Sequence, residues 1–183
     1  AYAITKNIVE HDNESKKGNY AIRNSFRSIE IIGCNIGIIG LGNIGKETAR
    51  IFKNNDTNVH VYDPYKKEEV ERLGYIYVDN LHSMLRICDI ISLHVPSVPE
   101  TRGMISVEEF KAMKDGAFLI NCARGDIVDE KALYNALISK KVAGAALDVM
   151  VQEPFDTNNP LLSMPNVIVT PHVAGVTKEA ANK

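Results

Sequence analysis

The sequence lacks any strong imbalance of charge, and this absence narrows the classes of protein to which it can belong. Among its 183 residues, 21 lysines and arginines accompany 23 aspartates and glutamates, and the formal net charge is -2. Nucleic-acid binding usually requires clustered positive charge, so we expect no nucleic-acid partner. The apolar runs are far shorter than the roughly 20 residues of a membrane-spanning helix, so we expect no membrane association.

Cysteine is scarce as well. Cys34, Cys88 and Cys122 are widely separated along the chain. Three cysteines at these spacings form neither a zinc-binding pattern nor a disulfide framework, so we expect no metal site and a reducing, cytoplasmic location. Nothing near Cys122 in the sequence is an activating base, and we interpret it as a small filler residue rather than a nucleophile.

The remaining composition is that of one globular domain, with 45% hydrophobic and 24% charged residues. A helix is predicted from Tyr2 to about Glu14, followed by a polar stretch at 15–28. From Asn35 onward, β-like runs alternate with helical segments. The predicted strands are 36–40, 58–62, 75–78, 89–93, 117–121, 143–147 and 167–170, and the predicted helices between them are 43–54, 66–73, 80–87, 106–114 and 129–140.

This alternation predicts an α/β fold in which a doubly wound parallel sheet is covered by helices on both faces, a Rossmann fold. A capping box is expected at Ser106 and Glu109, and Asp129 is a candidate N-cap. In such a sheet, ligands bind outside the carboxyl ends of the strands. The residues directly after each strand are therefore the candidates for function.

A glycine turn lies at the end of the first predicted strand of this sheet. Gly40, Gly42 and Gly45 are spaced as a dinucleotide-binding fingerprint between a strand and a helix. Gly40 would allow the tight turn, Gly42 the approach of a pyrophosphate, and Gly45 the close packing of helix on strand. The N–H groups of Asn43 and Ile44 would then face the phosphates.

Asp63 follows the second predicted strand, about 20 residues after the glycine turn, where an acid can bind the adenosine ribose. A carboxylate at this position repels a 2′-phosphate and favours NAD over NADP. The alternative interpretation is an ordinary turn residue before Pro64, since Asp-Pro is common in turns. The cofactor interpretation is favoured because the glycine turn lies at the expected distance before Asp63.

Three later strand ends supply groups suited to oxidation or reduction of a 2-hydroxy acid. Arg124, Glu153 and His172 follow successive strands. A guanidinium can bind a carboxylate with two hydrogen bonds, a histidine can exchange the proton, and a neighbouring carboxylate can orient the histidine. Taken singly, each of these residues is more often an inert loop residue, and only their joint position favours chemistry.

The sequence resembles the NAD-binding domain of the D-isomer-specific 2-hydroxyacid dehydrogenases. The resemblance runs from about Gly33 to Gly175, and residues 1–32 resemble the family's connecting helix and the segment after it more loosely. The family usually has a tryptophan there; this chain has none, and Tyr20 would take its place. The matching stretches are 37–45, 94–96 with Thr101, 121–125, 145–149 with Glu153-Pro154, and 171–175.

The resemblance implies a role for each matching residue. Arg124 would bind the substrate's carboxylate and carbonyl, His172 would be the acid/base, and Glu153 would be its partner. The residues expected to line the NAD site are Gly40, Gly42, Asn43, Ile44, Gly45, Asp63, Val95, Pro96, Thr101, Cys122, Ala123, Arg124, Asp148, His172, Ala174 and Gly175.

The family's two-domain architecture implies that this chain holds only the NAD-binding domain. We expect a connecting segment at 1–32, the NAD-binding domain at 33–175, and the start of a returning helix at 176–183. The substrate domain would be absent, removed by deliberate truncation or by proteolysis. The expected partners are a small 2-hydroxy or 2-oxo acid and a second copy of the chain in a homodimer of the whole enzyme. The alternatives are another NAD-dependent enzyme on this fold and a related NAD-sensing corepressor or scaffold.

Overall fold

The chain folds around one parallel sheet, as the alternating sequence pattern predicts. The computed structural model describes residues 1–25 and 27–181. Within them, seven strands form a sheet in the order β3-β2-β1-β4-β5-β6-β7, and every pair is parallel. The strands are β1 Asn35–Ile39, β2 Asn58–Tyr62, β3 Ile76–Tyr77, β4 Ile90–Leu93, β5 Ala117–Asn121, β6 Val142–Leu147 and β7 Val167–Val169. The doubly wound fold is confirmed.

Helices cover both faces of this sheet. They are α1 Tyr2–Thr5, α2 Ile8–Lys16, α3 Asn43–Lys53, α4 Lys67–Arg72, α5 Leu81–Ile87, α6 Val107–Ala112, α7 Glu130–Ile138 and α8 Lys178–Ala181. Apolar residues of α5, α6 and α7 pack in one core, and those of α1, α3 and α4 pack in the other. Because the central strands are covered on both sides, all five residues of β5 are buried.

The predicted caps fix the starts of two helices on one face. Glu109 Oε2 accepts a hydrogen bond of 3.1 Å from the Ser106 backbone N–H, as a capping box requires. Asp129 Oδ1 accepts one of 3.0 Å from the N–H of Ala132 and caps α7. The Ser106 hydroxyl also donates to Asp129 Oδ2 at 3.0 Å, which ties the two helix starts together.

The single helix predicted over Tyr2–Glu14 is wrong. The segment forms α1 and α2, separated by Lys6 and by Asn7, whose φ of 50° is left-handed. Asparagine tolerates this conformation better than most residues, so the chain turns here. In α1, Ile4 is buried against the sheet, whereas α2 contains no buried residue. A short 3-10 helix at Tyr20–Ser25 lies in the polar stretch at 15–28, where no helix was predicted.

The strand register aligns the strand ends that matter for function. Tyr62, Ile39, Leu93, Asn121, Leu147 and Val169 pair in one continuous row across the sheet. The next residues along each chain segment are Asp63, Gly40, His94, Cys122, Asp148 and Thr170. The order of strands reverses between β1 and β4, which is the switch point where doubly wound sheets bind ligands.

The carboxyl-terminal end of the chain adds little to this core, since residues 170–180 are exposed. In the predicted returning segment 176–183, α8 covers Lys178–Ala181, and residues 182 and 183 lie outside the described residues. Across the described part of the chain, the helices are too short or too polar to cross a bilayer.

Candidate active site

The glycine turn after β1 has the shape that a nucleotide-binding turn needs. Gly40 has a φ of 92°, and a Cβ on it would lie 2.9 Å from the carbonyl oxygen of His94. A Cβ on Gly45 would lie only 2.1 Å from the carbonyl oxygen of Gly40, so α3 seats closely on the end of β1. Side chains are excluded at both positions by backbone atoms, which cannot move aside.

Gly42 differs from its two neighbours because it faces open space. A Cβ on Gly42 would meet no heavy atom within 4 Å. Directly after it, α3 begins at Asn43. The first backbone N–H with a partner in this helix is that of Lys46, which donates to the carbonyl oxygen of Gly42 at 2.9 Å. The earlier N–H groups point out of the helix start, where they and the helix dipole favour an anion. An open, donor-rich turn of this kind fits a pyrophosphate.

Asp63 is bound to the glycine turn. Its Oδ2 accepts a hydrogen bond of 2.9 Å from the N–H of Leu41, and its Oδ1 accepts one of 3.0 Å from the N–H of Tyr65. The second bond is the local turn that Asp-Pro sequences favour, so the two interpretations of Asp63 are compatible. Each carboxylate oxygen can accept more than one hydrogen bond, which leaves capacity for ribose hydroxyls.

Residues after β4 form the opposite wall of this turn. A Cβ on Gly40 would lie 2.8 Å from Val95 Cγ1, so Val95 packs directly against the turn. The Thr101 hydroxyl donates to the carbonyl oxygen of Pro96 at 2.5 Å and accepts from the N–H of Val98 at 3.0 Å. Thr101 therefore closes its own loop, and contacts of Pro96 and Thr101 with a cofactor stay predictions.

Arg124 is held at the surface by a buried asparagine. Asn121 is 1% exposed, donates to the carbonyl oxygen of Arg124 at 2.9 Å and accepts from the N–H of Ala123 at 3.0 Å. A Cβ on Gly125 would lie 2.0 Å from the carbonyl oxygen of Met150, so the loop packs against the segment after β6. The guanidinium of Arg124 itself is exposed.

His172 and Glu153, which the sequence predicts to act as an acid–base pair, lie within hydrogen-bonding distance of each other. His172 Nδ1 lies 2.9 Å from Glu153 Oε2, and the hydrogen bond from His172 lowers the pKa of Glu153. An ionised carboxylate only accepts hydrogen bonds, so Nδ1 carries the proton and Nε2 is left for other partners. The φ of His172 is 56°, a left-handed conformation that costs about 1 kcal/mol or more and must be held by its surroundings.

Arg124, Glu153 and His172 share one open cleft of about 480 Å³. The same cleft is lined by Ser97 and Asp126, whose side chains form a hydrogen bond of 2.6 Å. The structure therefore brings together all three residues predicted to carry chemistry, although they lie far apart in the sequence.

Asp148, directly after β6, is a buried residue that is only 4% exposed. Burial alone would raise its pKa, but hydrogen bonds from the Thr170 hydroxyl and from the N–H groups of Ala174 and Val173 outweigh burial and lower it. Oδ2 accepts from Ala174 alone among the described residues and retains capacity for a further donor. Other residues expected beside a nicotinamide lie at this same edge and are exposed or half-buried: Cys122, Ala123, Ala174 and Gly175.

Four residues that shape the site were not predicted from the sequence: Asn121, Thr170, Ser97 and Asp126. Asn121 lies inside a recognised motif and Thr170 directly before one, and their polar side chains at the ends of apolar strands were the available signal. Ser97 and Asp126 show no such signal, because only folding brings their loops together.

The fold and the site together define a dinucleotide-binding domain of the dehydrogenase type. The sequence profile of the "D-isomer specific 2-hydroxyacid dehydrogenase, NAD binding domain" matches residues 1–174. The chain belongs to this family. The resemblance stated from the motifs is therefore confirmed.

Relatives of known name include dehydrogenases and reductases. The chain is 45% identical over 179 residues to a D-3-phosphoglycerate dehydrogenase of Archaeoglobus fulgidus, covering 97% of this chain and 34% of that protein. It is 37% identical over 185 residues to a glyoxylate reductase of Korarchaeum cryptofilum, covering 99% of this chain and 55% of that protein. The chain thus spans between a third and just over half of these relatives. Dehydrogenases and reductases of this kind give no support to the corepressor alternative.

Solved structures share the fold closely. D-lactate dehydrogenase with NAD⁺ from Lactobacillus jensenii superposes with a TM-score of 0.86 at 38% identity, covering 98% of this chain and 58% of that chain. The pyruvate reductase of Chlamydomonas reinhardtii superposes with a TM-score of 0.90 at 34% identity, covering 99% of this chain and 59% of that chain.

The glycine turn yields a matched pair of variants. Gly45→Ala should lower the free energy of unfolding by about 3 kcal/mol, because its Cβ would overlap a backbone oxygen. Gly42→Ala should change it by less than about 0.5 kcal/mol, since its Cβ meets open space, but should weaken NAD binding about tenfold or more. Urea denaturation and calorimetric titration measure both quantities. Equal stability losses in the two variants would contradict this account.

Half-buried His94 predicts a pH dependence of stability. Burial lowers the pKa of His94 from 6.5 to about 4, and its Nε2 lies 2.9 Å from the Ser92 hydroxyl. The unfolded chain therefore binds the proton first, so stability is complete above about pH 6.5 and falls by up to about 3 kcal/mol as the pH drops to about 4. His94→Gln should flatten this slope in denaturation curves measured at several pH values. An unchanged slope in the variant would show that His94 is not the responsible group.

Proposed function

We propose that this chain binds NAD along the carboxyl edge of its sheet and, together with a substrate-binding domain, serves hydride transfer between NAD and a D-2-hydroxy acid or its 2-oxo acid. The observation that carries the proposal is the His172–Glu153 hydrogen bond of 2.9 Å at the cleft that Arg124 also lines. NAD, when bound, supplies or accepts the hydride. The protein must supply orientation and the accompanying proton.

His172 is the group that moves this proton in our proposal. With Nδ1–H donated to Glu153, the Nε2 atom accepts the hydroxyl proton during oxidation or gives it back during reduction. Glu153 fixes the ring orientation and the tautomer, and its negative charge stabilises the imidazolium form. Its lowered pKa keeps Glu153 ionised at neutral pH, as this role requires.

Arg124 orients the acid. Its guanidinium can form two parallel hydrogen bonds with a carboxylate, which fixes the plane of the substrate relative to His172. The backbone around Arg124 is held by Asn121 through hydrogen bonds of 2.9 and 3.0 Å. The loop is therefore ordered before substrate arrives, which lowers the entropic cost of orienting it.

The cofactor site is proposed from the same edge. The glycine turn at 40–45 would hold the pyrophosphate, and Asp63 the adenosine ribose. Asp148, Cys122 and Ala174 would line the nicotinamide end. We place the boundaries of the NAD-binding domain at 33 and 175, with a connecting segment before it and a returning helix after it.

Cofactor binding gives the first test. At 100 times its Kd, NAD should raise the free energy of unfolding by about 2.7 kcal/mol, whereas NADP at the same concentration should raise it less because Asp63 would face the 2′-phosphate. Thermal unfolding with each nucleotide measures the difference. Absence of any stabilisation by NAD would overturn the proposal.

NADH fluorescence with a panel of 2-oxo acids tests the reaction. We expect binding but slow turnover by these 183 residues, because one wall of the cleft would come from a substrate domain.

We further propose that the chain pairs with a second copy through its first two helices. Tyr2, Ile8, Val9 and Tyr20 are exposed, and no residue of α2 is buried within the chain. Such a cluster of apolar side chains is typical of an interface.

Sedimentation equilibrium tests this pairing. Ile8→Glu with Val9→Glu should shift a dimer to monomer by placing charges in the interface. Ile138→Glu, on the exposed side of α7, is the control and should leave the assembly unchanged. A monomer at all concentrations in the unmodified chain would contradict the pairing.

A further inference from the structure

The loop that contains His172 is exposed, so burial does not order it. Its backbone turns sharply after β7, His172 has a left-handed φ of 56°, and the residues from Pro171 to Gly175 are exposed. Exposed loops with few apolar contacts open easily. Something other than burial must therefore hold the imidazole in place.

The carboxylate of Asp148 provides that order. Oδ1 accepts a hydrogen bond of 2.9 Å from the N–H of Val173, and Oδ2 accepts one of 2.8 Å from the N–H of Ala174. The carbonyl oxygen of Asp148 accepts a third, of 2.9 Å, from the N–H of His172. Three consecutive backbone N–H groups thus converge on one buried residue of the neighbouring strand end.

Thr170 completes this arrangement from the other side of His172. Its hydroxyl donates to Asp148 Oδ1 at 2.5 Å, and its N–H donates to the carbonyl oxygen of Leu147 at 3.0 Å. Asp148 and Thr170 directly follow the paired residues Leu147 and Val169, so the sheet register places them side by side. A hydrogen bond from a hydroxyl to a carboxylate is among the stronger kinds in proteins.

We propose that Thr170 is a positioning residue, whose hydroxyl fixes the Asp148 carboxylate in the rotamer that holds the backbone of His172. The inference rests on the proposed function, because the position of His172 matters for the reaction only if His172 carries the proton. Without the hydroxyl, Asp148 Oδ1 loses a donor, its side chain is free to rotate, and the N–H groups of Val173 and Ala174 lose a fixed acceptor.

The test uses the 183-residue chain and needs no substrate. Thr170→Val keeps the branched shape and removes the hydroxyl, whereas Thr170→Ser keeps the hydroxyl. By NMR, Thr170→Val should speed amide hydrogen exchange at Val173 and Ala174 about tenfold and move the backbone shifts of His172 away from their left-handed values. Thr170→Ser should restore both readouts to nearly those of the unmodified chain.

A matched control separates positioning from a general loss of stability. Thr57 is buried, unlike Thr170, and its hydroxyl donates to the carbonyl oxygen of Phe52 at 2.9 Å, away from this loop. Thr57→Val should lower overall stability without moving the His172 shifts. Identical His172 shifts in Thr170→Val and in the unmodified chain would overturn the inference. Should Thr170→Val not fold, Thr170→Cys, a weak donor, should give faster exchange than Thr170→Ser, and equal exchange would overturn the inference instead.

Failure of the proposed function would show differently. His172→Asn removes the acid/base but leaves the backbone hydrogen bonds to Asp148 in place. If reduction of 2-oxo acids by a longer protein carrying this chain survived His172→Asn, the proposed function would fail. The exchange rates at Val173 and Ala174 in the Thr170 variants would be unaffected by that result.

Discussion

The parallel register of the central strands is the constraint on which the rest of the structure depends. Ile39, Leu93, Asn121, Leu147 and Val169 lie in one row, so the residues that follow them form a second row at the carboxyl edge. A register shift of one residue would turn each side chain to the opposite face and break up this edge. The packing of apolar residues on both faces of the sheet therefore fixes the site as well as the core.

Two buried polar side chains at this edge are satisfied by backbone hydrogen bonds. Asn121 and Asp148 are both almost fully buried, and the N–H of Asp148 donates to the carbonyl oxygen of Asn121 at 2.9 Å. Asn121 orders the loop of Arg124, and Asp148 orders the loop of His172. An unpaired polar group at this depth would cost a few kcal/mol, so the two side chains hold their loops in single arrangements.

The fold and much of the candidate site were predictable because they rest on local patterns. The seven strands lie within about two residues of their predicted positions, since buried parallel strands appear as short apolar runs. The break at Asn7 was missed because a left-handed residue leaves the apolar spacing around it unchanged. The cofactor contact expected of Thr101 stays a prediction, because its hydroxyl bonds within its own loop.

By itself, the sequence determined the order of strands and helices, the glycine turn and the residue types available at each strand end. These follow from periodicity, from backbone sterics at glycine and from motif spacing, all of which act over a few residues. The tertiary structure alone decided that Glu153 meets His172 at 2.9 Å, that Ser97 meets Asp126, and that Asp148 orders the loop of His172. These contacts join residues up to 29 positions apart, and only the paired strands and the backbone turns after them bring such residues within hydrogen-bonding distance.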